Sequence, residues 1–269
     1  MTRTLLPAVS LAQREVVRFL RQRNRVVSAL LQPALFWALF GAGFSGAMRV
    51  GADVAESAEG GGQEFLRYLF PGSVVLVVLF TAIFSTFSII EDRNAGILQS
   101  VLAAPVSRSG IVLGKVFGGS ALALVQGTLF LLLALAPGVD VPLTPGSALA
   151  ALAALALVAF ALTSLGVALA WPMESVQGFH AVMMLFLLPM WLLSGAFFPF
   201  DGSAAWLATV MRGNPLSYGV ALVRHALDPE GAAAAGGPGA GISILVTSVF
   251  AAAAFLVALL VVGRRGRTD

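Results

Sequence analysis

The 269-residue chain contains no cysteine. Disulfides, thiolate metal sites, prenyl anchors and cysteine nucleophiles are therefore excluded. The absence says nothing about compartment. Charge is also scarce: Asp, Glu, Lys and Arg make up 11% of the residues, against about a quarter in soluble domains. Histidine occurs twice, as His180 and His225, and no HExxH is present to form a zinc peptidase site. No pair of carboxylates falls inside an apolar run. That removes an intramembrane aspartyl protease, and it leaves a proton-coupled carrier without the buried ionisable groups it uses.

Apolar sequence stands in place of charge, with 58% of residues hydrophobic. Six long runs lie at roughly 26–44, 69–90, 111–136, 147–170, 178–199 and 242–262. Each is near or above the ~20 residues that a helix needs to cross hydrocarbon. Only Lys115 and His180 interrupt them, both near an end. A soluble core helix of that length would carry a polar face, and these do not. The expected fold class is an all-α membrane protein of six transmembrane helices, one polytopic membrane domain over 1–269. The first run follows about 25 polar and basic residues and lacks a small-residue cleavage site, so it reads as a retained span.

The basic residues set an orientation. With the N-terminus cytoplasmic, the inner segments hold Arg3, Arg14, Arg18, Arg21, Arg23, Arg25, Arg93, Arg108, Lys115, Arg264, Arg265 and Arg267. The outer ones hold only Arg49, Arg67, Arg212 and Arg224. Six spans then leave both termini cytoplasmic. The bias suits a bacterial (inner) cell membrane and is a topology signal, with no call for nucleic acid.

Residues 1–25 precede the first span. Within them 3–25 has helical periodicity, with Arg3, Arg14, Arg18, Arg21 and Arg25 on one side and Val9, Ala12, Val16, Phe19 and Leu20 opposite, Arg23 falling out of place among the latter. Such an interfacial helix lays its apolar face in lipid and its guanidinium groups on head groups. It serves as a topology anchor, as a mechanical element, or as both. Gly110, Gly114 and Gly118 recur four apart at the start of span 3, a spacing that lets helices approach closely. Lys115 beside them is expected to snorkel to the cytoplasmic head groups. Between spans 5 and 6, residues 195–241 are too polar to span and too apolar for a free loop. Pro199 and Pro215 break them into what reads as two short re-entrant or covering helices. The stretch 231–241, GAAAAGGPGAG, reads as a flexible linker.

Chemistry-bearing motifs are few. Gly110 to Val116 has the look of a phosphate loop but has three residues between its glycines, and Val116 stands where Ser or Thr must hold magnesium. The chain therefore carries no nucleotide site of its own. Ser194-Gly195 faintly resembles an intramembrane serine protease motif, but Leu192 replaces the preceding glycine and no span histidine lies at its depth. The loop after span 2 runs from Glu91 to Arg108, with Ile97, Leu98, Val101 and Leu102 at helical spacing before Pro105. A short amphipathic helix there seeks a groove in a partner, or rests on the membrane or on the protein's own spans. The pattern alone leaves both open, leaning to the second.

Glu91, Arg93, Gly96, Leu98, Pro105, Val106, Leu113, Gly114 and Lys115 together resemble the signature of the type-2 permeases of ATP-binding-cassette (ABC) exporters. The chain departs from it at Ile97, where Thr is usual, and at Leu102, displaced by one. A second stretch of the same family follows span 5: Leu193 to Pro199, then Asn214-Pro215-Leu216-Ser217-Tyr218, then Arg224. The resemblance covers essentially the whole chain. It implies a permease subunit, a homodimer with a second copy, seated on two copies of a separate ATPase subunit that holds the ATP and magnesium. The chain itself then binds no cofactor or metal and has no catalytic residue. Glu91, Arg93, Gly96, Leu98, Leu102 and Pro105 become an ATPase-coupling helix. In that element Leu98 and Leu102 would fill a groove, Glu91 and Arg93 would set orientation, Gly96 would permit close approach, and Pro105 would stop the helix. Arg14, Arg18, Arg21 and Arg25 belong to the interfacial helix. Gly195, Pro199, Asn214, Pro215, Tyr218 and Arg224 belong to an outer gate. The expected cargo is hydrophobic or amphipathic: a drug, a lipid or a lipid-linked glycan. The alternatives are an intramembrane hydrolase and a non-transporting membrane assembly factor.

Overall fold

In the computed structural model, residues 2–21, 27, 31, 35, 61–104, 106–135, 141, 143–201 and 203–264 are described. Among them helix dominates and no strand occurs. The expected first span at 26–44 falls almost wholly outside the described residues, as do Arg25 and Pro105. Helix α1 covers Thr2–Arg21. Helix α2, Gly61–Asn94, is followed by the seven-residue α3, Ile97–Ala103. Helix α4, Arg108–Leu131, runs on through a 3-10 turn at Leu132–Leu135, and α5 covers Pro145–Ala170. Helix α6 spans Val176–Ala196 with π-helical turns at Met183–Leu187 and Leu192–Ala196. Then come α7 (Ala205–Gly213), α8 (Pro215–Leu227), α9 (Pro229–Ala234) and α10 (Ala240–Arg264).

Five of these segments are long and apolar enough to cross a membrane: Phe65–Asn94, Arg108–Leu135, Pro145–Ala170, Val176–Ala196 and Ala240–Arg264. They match expected spans two to six to within a few residues. Helix α2 is the central post. It packs on α4, α5 and α8, and 94% of its most apolar window is buried inside the protein. In α10 that share is 22%. Its outward Leu245, Val249, Leu256 and Leu260 are more than half exposed and need lipid or a partner. Phe70 stacks on Phe130 at 5.8 Å in a core that also holds Ile83, Leu155 and Leu162.

Most polar groups inside the bundle are paired, as hydrocarbon demands; the Ser164 and Thr247 hydroxyls and Arg224 Nε are the buried side-chain atoms without a partner among the described residues. Thr81 donates to Gln126 between α2 and α4. Thr163 bonds back to the carbonyl of Ala159 at 2.7 Å. In α6, Pro189 lacks the N–H that continues a helical ladder, and the π turns on either side absorb the mismatch. The helix stops at Gly195, where φ reaches 75° and an added Cβ would lie 2.6 Å from Phe200. Span 5 therefore ends three residues short of the expected 199.

Two expectations for 195–241 change. Three helices form rather than two, because Asn214-Pro215 and Asp228-Pro229 each supply a side-chain cap and a proline at the first helical position. The expected linker begins helically: Asp228 accepts from Gly231 N, and the alanines that follow favour helix. Helix α8 packs against α5, α10 and the end of α6, so it covers the bundle rather than trailing from it.

Helix α1 does not lie on lipid alone. It packs along α4, where Gly114 and Gly118 admit the backbone of Ala8 and Ala12. A Cβ at Gly114 would stand 2.9 Å from the Ala8 carbonyl and 2.7 Å from the Leu11 Cβ. The face turned inward is thus Ala8, Leu11, Ala12 and Glu15, while Val9 and Val17 are exposed. Replacing Gly114 by Leu should cost about 1–3 kcal/mol through overpacking and lift α1 away. In this cysteine-free chain, maleimide labelling of Ala12→Cys should then speed up several-fold. Unchanged labelling would mean that α1 does not depend on this groove.

Candidate functional site

The α1 helix period puts Glu15 on the inward face one turn beyond Leu11, with Arg14 and Arg18 flanking it one turn apart. In α2, Ser88 and Asp92 share a face, and α4 contributes Lys115 eight residues into its length. These side chains converge. The Lys115 ammonium donates to Glu15 Oε1 at 2.5 Å, to Asp92 Oδ2 at 2.9 Å and to Ser88 Oγ at 3.0 Å. All three of its protons are used. The other oxygen of Asp92 accepts from Arg14 Nη2 and Arg18 Nη1, each at 2.8 Å, and Arg18 Nη2 reaches Glu91 Oε2 at 2.7 Å.

Three cations thus balance three anions. Lys115, Glu15 and Asp92 keep side-chain exposures of only 5%, 4% and 3%. Placing such charges singly in an apolar interior costs several kcal/mol each, so they persist there only as a neutral, hydrogen-bonded set. Two expectations are corrected. Lys115 does not snorkel to head groups, because the carboxylates of α1 and α2 reach it within the protein. Arg14 and Arg18 are committed to Asp92 and Glu91 rather than to lipid, while Arg21 is exposed. Glu15 and Asp92 were missed as site residues. One signal was available for Glu15: it is the only acid among six arginines before residue 26.

One turn further, the chain reverses into α3. Arg93 donates to the carbonyls of Trp171 and Met173 at 2.5 Å each, and its guanidinium lies 5.8 Å from the Trp171 ring centre. It holds the turn between α5 and α6 to the end of α2, and so acts within the chain. Gly96 takes φ 74° as the N-cap of α3 and has open space around its Cβ position. It supplies the left-handed backbone that starts α3. Leu98 is buried in the chain's own core and anchors α3, which removes it from any outward groove. Ile97 and Leu102 are 40% and 42% exposed and form the free apolar surface of α3.

The residues expected at the gate collect at the other end of α2. The Gly195 carbonyl accepts from Tyr68 Oη at 2.7 Å and from Arg224 Nη2 at 2.9 Å. Arg224 lies 4.2 Å above the Tyr68 ring. Asn214 donates to the carbonyls of Met190 and Leu193, which the π turn frees, at 2.6 and 2.9 Å, and caps α8 by accepting from Leu216 N. Pro215 starts α8, and Pro199 lines a cavity with Arg224. Tyr218 sits apart, donating to the Arg212 carbonyl at 2.9 Å. Tyr68, the ring on which Arg224 rests, carries no motif in the sequence and was missed. The Ser194 hydroxyl is fully buried and donates to the Trp191 carbonyl, so it presents no nucleophile.

A helical bundle with five apolar crossing segments and its ionisable groups drawn to its two ends defines a multi-pass membrane protein. A family model described as ABC-2 type transporter matches residues 8–227. The chain therefore belongs to that family, whose members are membrane subunits of ABC transporters and imply an ATPase partner. It is similar to the transport permease ycf38 of Cyanophora paradoxa, 27% identical over 215 residues, covering 80% of this chain and 71% of the relative. The ycf38 of Porphyra purpurea is 27% identical over 217 residues, covering 80% and 72%. Nodulation protein J of Sinorhizobium fredii is 28% identical over 234 residues, covering 84% and 82%.

Changing Lys115 to Met strands two buried carboxylates and should cost about 3–5 kcal/mol of stability. Lys115→Met combined with Glu15→Gln should lose less than the two single changes added together. Thermal unfolding of the four proteins in detergent measures this coupling. Additive losses would show that the pair does not interact.

Proposed function

We propose that the chain is an exporting permease that acts as a homodimer on two copies of a separate ATPase. ATP and magnesium reside on that partner. In this reading both termini and α3 face the cytoplasm of a bacterial cell, and the chain lies in the inner membrane. Its cargo is hydrophobic or amphipathic, of the drug, lipid or lipid-linked glycan kind. The permeases it resembles couple to their ATPases through the segment that α3 occupies here.

The observation that carries this reading is the construction of α3. Leu98 anchors it to the core, while Ile97 and Leu102 remain outward beside the Glu91–Arg18–Asp92 cluster. A short helix that pins Leu98 and Val101 against the core and presents two apolar residues outward suits a groove on a partner. Behind it, the ion cluster ties α1, α2 and α4 into one stiff base. Nucleotide-driven displacement of the ATPase would enter at α3 and pass into α2 through Arg93 and Asp92 instead of being dissipated in a loose loop. Differential contacts in two states then supply the work, which is all that a passive subunit needs. The outward end, with Gly195, Pro199, Asn214, Pro215, Tyr218 and Arg224, would serve as the gate that opens when the base moves.

The test is ATP-dependent efflux from vesicles holding the assembled complex. Ile97→Asp and Leu102→Asp, both on exposed positions, should leave the chain folded. Each should lower co-purification of the ATPase and transport at least tenfold. Normal transport by either variant in an intact complex would sink the coupling assignment. ATP-independent cleavage of a substrate by the purified chain would favour the hydrolase alternative. A complex that is lost while flux continues would favour an assembly factor.

A further inference from the structure

At the end of the bundle opposite the ion cluster, a cavity of about 430 Å³ opens between the start of α2, the end of α8 and α9. That volume lies within the range of small-ligand sites. Its polar lining is Arg67, Tyr68, Arg224, Asp228 and Glu230, and its apolar walls include Pro199 and Ala234. Arg67 and Asp228 neutralise each other across 2.8 Å, and Asp228 is further occupied by Gly231 N. Two charges remain. Arg224 is only 4% exposed, and its partners among the described residues are carbonyl oxygens and the Tyr68 ring. No carboxylate pairs with it there, and its buried Nε has no hydrogen-bond acceptor. Glu230 is exposed, and no ion pair engages it among the described residues.

A buried guanidinium without a counter-ion carries an uncompensated desolvation cost, and an incoming anion would relieve it. Phosphate suits a guanidinium best, through paired N–H donors. A lone free anion is less well matched, since Glu230 would repel it. A ligand carrying an anion and a hydrogen-bonding cation satisfies both leftover charges at once. Depth on the bundle adds to this. Arg67 and Asp92 are 25 residues apart on α2, or roughly 37 Å at 1.5 Å per residue. With Asp92 at one surface of a hydrocarbon layer of about 30 Å, Arg67 and the cavity fall at head-group level on the other.

We propose that this cavity binds a zwitterionic phospho-amine head group, with its phosphate on Arg224 and its primary ammonium on Glu230. The Tyr68 ring and the proline and alanine walls hold the glycerol end. The site stands on its own geometry and does not require the coupling role of α3.

The experiment measures thermal stabilisation of the full chain in neutral detergent by short-chain phosphatidylethanolamine. Phosphatidylglycerol, phosphatidylcholine, phosphorylethanolamine without acyl chains, and inorganic phosphate serve as comparisons. Phosphatidylethanolamine should bind at least tenfold tighter than phosphatidylglycerol or phosphatidylcholine, the scale of one charge-assisted hydrogen bond. Glu230→Gln, on an exposed residue, should erase that preference. Ala234→Trp should fill the cavity and abolish binding with every charge retained, and Arg224→Gln should weaken all the phosphates. Equal binding of phosphorylethanolamine would support the same head-group chemistry with a soluble source. Binding of inorganic phosphate as tight as that of the lipid, no preference among the three lipids, a preference that survives Glu230→Gln, or binding that survives Ala234→Trp would overturn the proposal.

Discussion

The buried ammonium of Lys115 is the constraint around which one end of this protein is arranged. A cation at that depth survives only with anions in contact, and no single helix supplies them all. Glu15 comes from α1 and Asp92 from α2, so both helices must dock on α4 before the charge is neutral. Arg14 and Arg18 then balance what remains of Asp92 and Glu91. Docking requires Gly114 and Gly118, because side chains there would hold α1 off and pull Glu15 out of reach. Electrostatics and close packing therefore specify the same arrangement. Such agreement between levels is what selects one structure over its competitors.

Helix α2 carries that arrangement to the rest of the molecule. It enters the bundle at Arg67 and Tyr68, beneath α8, and leaves at Asp92 and Arg93, beside α3. Both ends are tied by hydrogen bonds to segments distant in sequence, and its middle is buried on all sides. The two π turns of α6 contrast with it. They free backbone carbonyls, and Asn214 takes up those of Met190 and Leu193. The junction of α6 and α8 is the place where regular helix gives way to side-chain bonding.

Much of this was legible in the chain. The apolar runs located spans two to six because hydrocarbon imposes length and composition on every crossing helix. The pairing of Glu91, Arg93 and Gly96 with Asn214, Pro215 and Arg224 pointed to the family that residues 8–227 match. The residue roles were less accessible. Leu98 and Leu102 look alike in a helical pattern, yet only Leu102 is exposed, because α3 meets the core through Leu98 and Val101 near its start and its last turn runs clear of it. Arg93 was expected to set the orientation of the coupling element, and the carbonyls that claim it lie some 80 residues away.

Sequence by itself determined that this is a membrane protein, roughly where it crosses, and which family it belongs to. Each of these follows from composition and order along one dimension. Tertiary structure decided where the charges went. Lys115, Glu15 and Asp92 meet across separations of 100 and 23 residues, and Arg224 finds Tyr68 across 156. No periodicity spans such distances, because the cost of burying a charge depends on what surrounds it in three dimensions.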